Sequence, residues 1–414
     1  MSKNATDQQA PSPIKNSIDE PAKISAMMRF VFMGLSRISG GKLTVELPDG
    51  DSFVFGDTHS ELQANIVIKR QAAFSRIVRG GAIGFAEAYM DGDFETDNLS
   101  HLLTLLSANL ERIQDIINSS VWMRALNRLV HVLRPNTRNG AKKNIYAHYD
   151  LGNAFYEKWL DQTMTYSSAR FTSPDQDLSA AQTSKYEAIE RIADIKDDHH
   201  VLEIGCGWGG FAEHAAGSIG CDVTGLTISP SQLEYAQKRL ETRGLNNKAQ
   251  LRFQDYRDVK EQFDRVVSIE MFEAVGEKYW PTYFRKVYDV LKPGGKAGLQ
   301  IITIKDENFL RYSKRVDFIQ KYIFPGGMLP SPSKLREQFA LSGLNEYAYE
   351  SFGLDYAKTL AIWRERFLGV WQEIEADGFD EKFKNMWSYY LAYCEAGFRT
   401  GAIDVVQIGL EKPA

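Results

Sequence analysis

Val201-Leu-Glu-Ile-Gly-Cys-Gly-Trp-Gly-Gly210 is the stretch whose reading decides the fold. It opens as an apolar run broken by one acid, the pattern of a buried strand. Four of its last six residues are glycine. So many glycines cost conformational entropy, which is tolerated where a strand turns tightly into a helix and the backbone must approach a ligand. Downstream, DVTGLT, QLRFQD, DRVVSIE and GLQIITI read as further strands with helices between them. That alternation predicts an α/β fold with a doubly wound parallel sheet.

The glycine turn alone leaves two ligand classes open. Gly205, Gly207 and Gly210 also satisfy the GxGxxG dinucleotide pattern. Two neighbours favour S-adenosylmethionine (SAM) over a nicotinamide cofactor. Glu203 stands two residues before the first glycine, where a carboxylate can engage the methionine amino group. The second strand ends Leu226-Thr227-Ile228, without the acid that would bind an NAD ribose.

Upstream, residues 132–143 (VLRPNTRNGAKK) have linker composition and mark a boundary between a smaller α+β domain at 23–131 and a larger one at 144–414. Residues 1–22 are polar and are expected to form a disordered leader. Residues 24–38 (ISAMMRFVFMGLSRI) form an apolar stripe with basic flanks, which suits a core helix or a helix lying on lipid. KLTVELPDGDSFVFG predicts a β-hairpin around Pro48-Asp49-Gly50, followed by helix through Ala64 to Ser75 and more helix to about His131.

The chain has 43% hydrophobic and 25% charged residues, ordinary for a globular protein of two domains. Its net charge of −5 gives no general attraction for nucleic acid, which is not an expected partner. No window approaches the roughly 20 apolar residues of a spanning helix. Cys206, Cys221 and Cys394 are widely spaced, so neither a disulfide framework nor a metal cage is expected, and a reducing cytoplasm fits.

From Asn144 to the C-terminus, about two-thirds of its length, the chain resembles the cyclopropane-fatty-acid and mycolic-acid cyclopropane synthase family. The segments that carry the resemblance are NIYAHYDLGNAFYEKWLDQTMTYSSARF, VLEIGCGWGGFAEHAA, VTGLTISPSQLEYAQ, FQDYRD, SIEMFEAVGEKYWPTYF, FIQKYIFPGGMLPS, SFGLDYAKTLAIWRERF and YYLAYCEAGFR. The resemblance implies a seven-stranded SAM-methyltransferase sheet with added helices over an acyl tunnel. It implies a SAM pocket formed by Tyr166, Ser167, the turn from Leu202 to Gly210 (Glu203, Gly205, Gly207, Trp208 and Gly209 within it), Thr227, Gln232, Tyr256 and Arg257. His148 either lines the cofactor entrance or is structural.

The implied reaction transfers a methyl group to the cis double bond of an unsaturated fatty acyl chain in a phospholipid at the membrane surface. The enzyme would act from the cytoplasm, peripheral on the inner face of the membrane. An isolated alkene has no proton to lose beforehand, so its attack leaves a carbocation that aromatic faces and a carboxylate must stabilise. Glu273 is the carboxylate that the resemblance selects, with Tyr356 in register beside it. A bound bicarbonate would serve as base for ring closure. At that anion site the sequence departs from the family, since Ser168 stands where many members carry cysteine and Gln300 where histidine is usual. The product therefore stays open between a cyclopropane and a methyl-branched or methylene acyl chain. Cys394 matches a cysteine treated as an active-site residue in the family, but its aromatic and apolar flanks suit packing. A small-molecule SAM methyltransferase, an inactive lipid-binding relative and, remotely, an NAD enzyme are the competing readings. The oligomeric state is left open.

Overall fold

The computed structural model describes residues 25–113 and 151–414. The leader, the 132–143 linker and His148 lie outside the described residues. The described chain divides into two compact units, one containing 25–113 with Glu381–Tyr389, the other 151–380 with Tyr390–Ala414.

In the first unit a helix at Ala26–Leu35 starts where the Ser25 side chain accepts a hydrogen bond from the Met28 amide. Strands β1 (Lys42–Glu46) and β2 (Ser52–Gly56) form the expected antiparallel hairpin, with Leu43 opposite Phe55 and Val45 opposite Phe53. These four side chains alternate inward and are buried. Phe32 of the first helix lies over Phe53 and Phe55, with ring centroids 4.8 and 5.2 Å apart. Its apolar stripe thus faces a core, and the lipid-surface alternative is set aside.

The helix expected from Ala64 is corrected. Gln63–Ile68 is strand β3, paired in parallel with β1. The run Ile66-Val67-Ile68 is β-branched throughout, which favours a pleated strand, and helix begins only at Ala72. The helix Ala72–Met90, the short strand β4 (Phe94–Glu95) and the helix Leu99–Ala108 follow, and the sheet order of this unit is β2-β1-β3-β4.

The second unit is built on β5 (His200–Ile204), β6 (Asp222–Thr227), β7 (Ala249–Phe253), β8 (Phe263–Ile269), β9 (Leu291–Ile304), β10 (Asn345–Ser351) and β11 (Ile403–Glu411). They form one seven-stranded sheet in the order β10-β11-β9-β8-β5-β6-β7. From β7 to β9 all neighbours are parallel, while β11 runs antiparallel to both β9 and β10. The chain runs outward from β5 to β6 and β7, then crosses back to β8 on the other side of β5. At such a reversal the ends of adjacent strands diverge and leave a crevice, which places the ligand site at the carboxyl ends of β5 and β8. Helices cover both faces, so the central strands send apolar side chains into a core on either side.

Candidate active site

The turn after β5 bends back because Gly205, Gly207 and Gly209 all adopt left-handed conformations, with φ of 85°, 52° and 81°. The amides of Gly205 and Cys206 both donate to the Leu226 carbonyl, at 3.0 and 2.8 Å, and pin the turn to β6. The glycines divide by what surrounds them. A Cβ on Gly205 would stand 2.7 Å from Met271 Cγ, and one on Gly210 2.4 Å from the Tyr186 hydroxyl, whereas one on Gly207 would meet nothing within 4 Å. Gly205 and Gly210 therefore serve close packing, and Gly207 borders open space.

Glu203 lies on β5 just before this turn, 3% exposed, with Oε2 lacking any hydrogen-bond partner. Burial pushes its carboxyl up to about 8, against the pull of Lys185 and Arg239. Beside the turn, Trp208 Nε1 donates to Asn153 Oδ1 at 2.8 Å and the Tyr156 ring lies 5.1 Å away. At the end of β6, Thr227 donates to Gln232 Oε1 at 3.1 Å. Tyr256 packs against Tyr283 at 5.5 Å. Arg257 is not brought into this group, since its guanidinium is exposed and folds back onto Asp255 at 2.6 and 2.9 Å.

The ends of β8 and β9 carry the second half of the site, and its centre is a residue that sequence reasoning passed over. Glu270 Oε1 accepts from the Ser168 amide at 2.8 Å and from Gln300 Nε2 at 2.7 Å. Its Oε2 accepts from the Tyr356 hydroxyl at 2.7 Å. Burial raises the carboxyl pKa, while these three donors and the charge of Lys185 lower it. Ser168, Gln300 and Tyr356 do converge, but on a side chain of the protein itself. The Ser168 hydroxyl turns away and donates to the Ala169 carbonyl at 2.8 Å.

Gln300 is held in this sense by its neighbours. Gln407, opposite it in the β9–β11 register, donates through Nε2 to Gln300 Oε1 at 3.0 Å, and Arg170 donates to Gln407 Oε1 at 2.9 Å. An arginine can only donate, so it fixes the Gln407 carbonyl outward. The amide of Gln407 then faces Gln300, and that of Gln300 faces Glu270. Glu273, one short turn beyond Glu270, accepts from the Ile302 amide at 2.6 Å. Its Oε2 has no partner, and burial beside Glu270 pushes its carboxyl up to about 8.

Tyr166 and Ser167 sit between these two halves. Tyr166 shares a hydroxyl hydrogen bond of 2.7 Å with Tyr390 and lies 5.2 Å from both the Tyr156 and Trp363 rings. Ser167 Oγ accepts from Lys185 Nζ at 2.7 Å. Lys185 is wholly buried on the helix Leu178–Ala193, and desolvation lowers its pKa to about 7 against the pull of Glu270, Asp161 and Glu203. Its signal was present in the sequence, because Leu178, Ala181, Gln182, Lys185, Tyr186 and Ile189 share one helical face. Cys394 is a partly buried free thiol whose pKa is raised by burial and by Asp317, which disfavours the thiolate that a nucleophile requires.

SAM fits what is present. The orphaned Glu203 oxygen can take its ammonium group, the space at Gly207 admits a close approach, and the buried carboxylates outnumber Lys185, which suits a cationic ligand. Bicarbonate does not fit, and that expectation is corrected. Its donors already bind the Glu270 carboxylate, and a second anion would stand beside Glu270 and Glu273, whose like charge would repel it.

Comparison with known proteins identifies the family. Residues 136–408 match the family described as Mycolic acid cyclopropane synthetase, and residues 31–118 match a domain of unknown function. The chain is 37% identical over 382 residues to the Tuberculostearic acid methyltransferase UfaA1 of Mycobacterium tuberculosis, covering 90% of this chain and 89% of that protein. It is 38% identical over 359 residues to the Cyclopropane-fatty-acyl-phospholipid synthase of Escherichia coli, covering 83% of this chain and 87% of that one. The mycolic acid cyclopropane synthase CmaA1, solved with SAH and CTAB, matches with a TM-score of 0.61 and 30% identity over 65% of this chain and 98% of its own. The chain belongs to the mycolic acid cyclopropane synthetase family of SAM-dependent methyltransferases.

Proposed function

We propose that the protein methylates a double-bond carbon of an unsaturated fatty acyl chain, carried in a phospholipid and reached from the membrane surface. The observation that carries this reading is the grouping of three carboxylates, Glu203 buried and Glu270 and Glu273 partly buried, with Glu270 bonded to Tyr356 at the end of the ring series Tyr356, Trp363, Tyr166 and Tyr156. When bound, SAM supplies an electrophilic methyl group. Glu203 orients its ammonium end, and the turn at Gly207 lets the backbone approach. The aromatic faces and the fixed carboxylates stabilise the positive charge that develops on the acyl chain. Loss of one proton from the cation then yields a ring or a methyl-branched alkene. Acting from the cytoplasm at the inner membrane face fits this substrate, and among the described residues no helix is long and apolar enough to cross a membrane.

The test is transfer from methyl-labelled SAM to vesicles that differ only in their acyl chains. Label is expected in the lipid with cis-monounsaturated chains and absent with saturated ones. Equal labelling of both, or label confined to a small molecule, would reject an alkene substrate.

A further inference from the structure

We infer that Glu270 is the base of this reaction, built into the chain at the place where the family resemblance calls for a bound bicarbonate. The inference rests on the alkene-methylation reading above. Three features of the pocket carry it.

The first is the donor set. Ser168 N, Gln300 Nε2 and Tyr356 OH converge from three separate elements on one carboxylate, as they would on a small planar anion. A carboxylate has about four acceptor positions. Three are filled here, and the remaining one, on Oε2, is free to take a proton.

The second is conformation. Glu270 has φ of +50°, one of three non-glycine residues with positive φ among the described residues. Glutamate has no local hydrogen-bonding reason to adopt this region, and strain of this kind persists where the surroundings impose it. Here it turns the side chain from the end of β8 into the pocket, where the donors hold it.

The third is the polarity of the neighbours. The Arg170–Gln407–Gln300 chain ends with an amide N–H₂ facing Glu270, so position 300 presents a donor that neither gives up nor takes a proton at neutral pH. A neutral donor leaves proton acceptance to the carboxylate it faces.

In the step itself, the alkene π pair forms the new carbon–carbon bond while the carbon–sulfur bond breaks with its electrons going to sulfur. One C–H bond then breaks, on the newly attached methyl group for ring closure or on a carbon next to the cationic carbon for an alkene. Its electron pair forms either the third side of a ring or a new double bond, and its proton passes to Glu270 Oε2, from which it returns to solvent after the product leaves. No second anion takes part.

The experiment compares the full-length protein with Glu270→Gln and Glu270→Gly, assayed on cis-monounsaturated phospholipid vesicles in buffer stripped of carbon dioxide, with and without added bicarbonate. SAM binding, measured separately, reports whether each variant is folded. The wild type should turn over equally in both buffers. Glu270→Gln, which keeps the pocket filled with a neutral group, should bind SAM yet lose about 100-fold or more in turnover, with no response to bicarbonate. Glu270→Gly suits the left-handed backbone and empties the pocket, so added bicarbonate should raise its low turnover at least about tenfold. A wild type that needs bicarbonate, or a Glu270→Gln variant with wild-type turnover, overturns the inference. A wild type that labels no lipid in either buffer instead rejects the underlying function.

Discussion

At the scale of single residues, the site works by fixing which way each polar group points. Gln300 could present either end of its amide to Glu270, and Gln407 decides which. Replacing Gln407 by leucine keeps the volume roughly constant but releases Gln300 to rotate. Turnover is expected to fall about tenfold, with SAM affinity within about twofold of wild type, because only the base is disturbed. Equal losses in both would show that Gln407 supports the fold rather than the base.

Glu203 gives a pH prediction. Its carboxyl is pushed up to about 8, so below that pH it is largely protonated and neutral, while the SAM ammonium requires the ionised form. Binding near pH 7 should therefore release a proton, and affinity should rise with pH until it levels above about 8. Calorimetry in buffers of different ionisation heat measures the release directly. No release, together with a flat affinity profile, would mean that Glu203 is already ionised before SAM arrives.

The residues that sequence reading missed follow a physical pattern. Glu273 and Glu270 are three apart in SIEMFEAVG, and nothing in the letters shows that the backbone at 270 turns left-handed and sends its side chain inward. The available cue was indirect. A neutral glutamine at 300 suits a partner that is itself a carboxylate. Arg257 was placed with the cofactor group by resemblance, but it lies exposed because the nearby Asp255 offers it a bidentate partner.

At the scale of elements, the strands of the parallel sheet were legible because each is an apolar run bounded by turn residues. β6 coincides with DVTGLT and β8 nearly so with DRVVSIE. In the sequence β3 resembles helix because its six residues lead directly toward a long helical segment, and its pairing with β1 is a tertiary fact. The glycine turn supplies a prediction at this scale. Gly207→Ala puts a methyl into open space at a left-handed position, costing about 1–2 kcal/mol in the fold, and it should weaken SAM binding at least about tenfold. Gly205→Ala carries the same backbone cost plus a collision with Met271, so it should lower the thermal midpoint more than Gly207→Ala does. Thermal melts and SAM titrations of both variants check the contrast. An opposite ranking in the melts would contradict the division between packing and ligand-facing glycines.

At the scale of the whole molecule, the composition is ordinary and the net charge of −5 supplies no overall attraction to anionic surfaces. What distinguishes it is concentrated at one edge of one sheet. There β5 and β6 bring the groups proposed to hold the cofactor, β8 and β9 lead to two carboxylates and an amide, and β11 fixes the orientation of that amide through its register with β9. The proposed function requires this assembly to act upon carbon rather than on oxygen or nitrogen.

The most direct measurement is therefore the position of the transferred carbon. Wild-type protein would be incubated with carbon-13 methyl-labelled SAM and cis-monounsaturated phospholipid vesicles, and the released fatty acids examined by NMR. The label is expected to be bonded to a former alkene carbon, either as a ring methylene or as a branch beside a retained double bond. Label found as an ester or amine methyl group, with the original alkene intact, would contradict it.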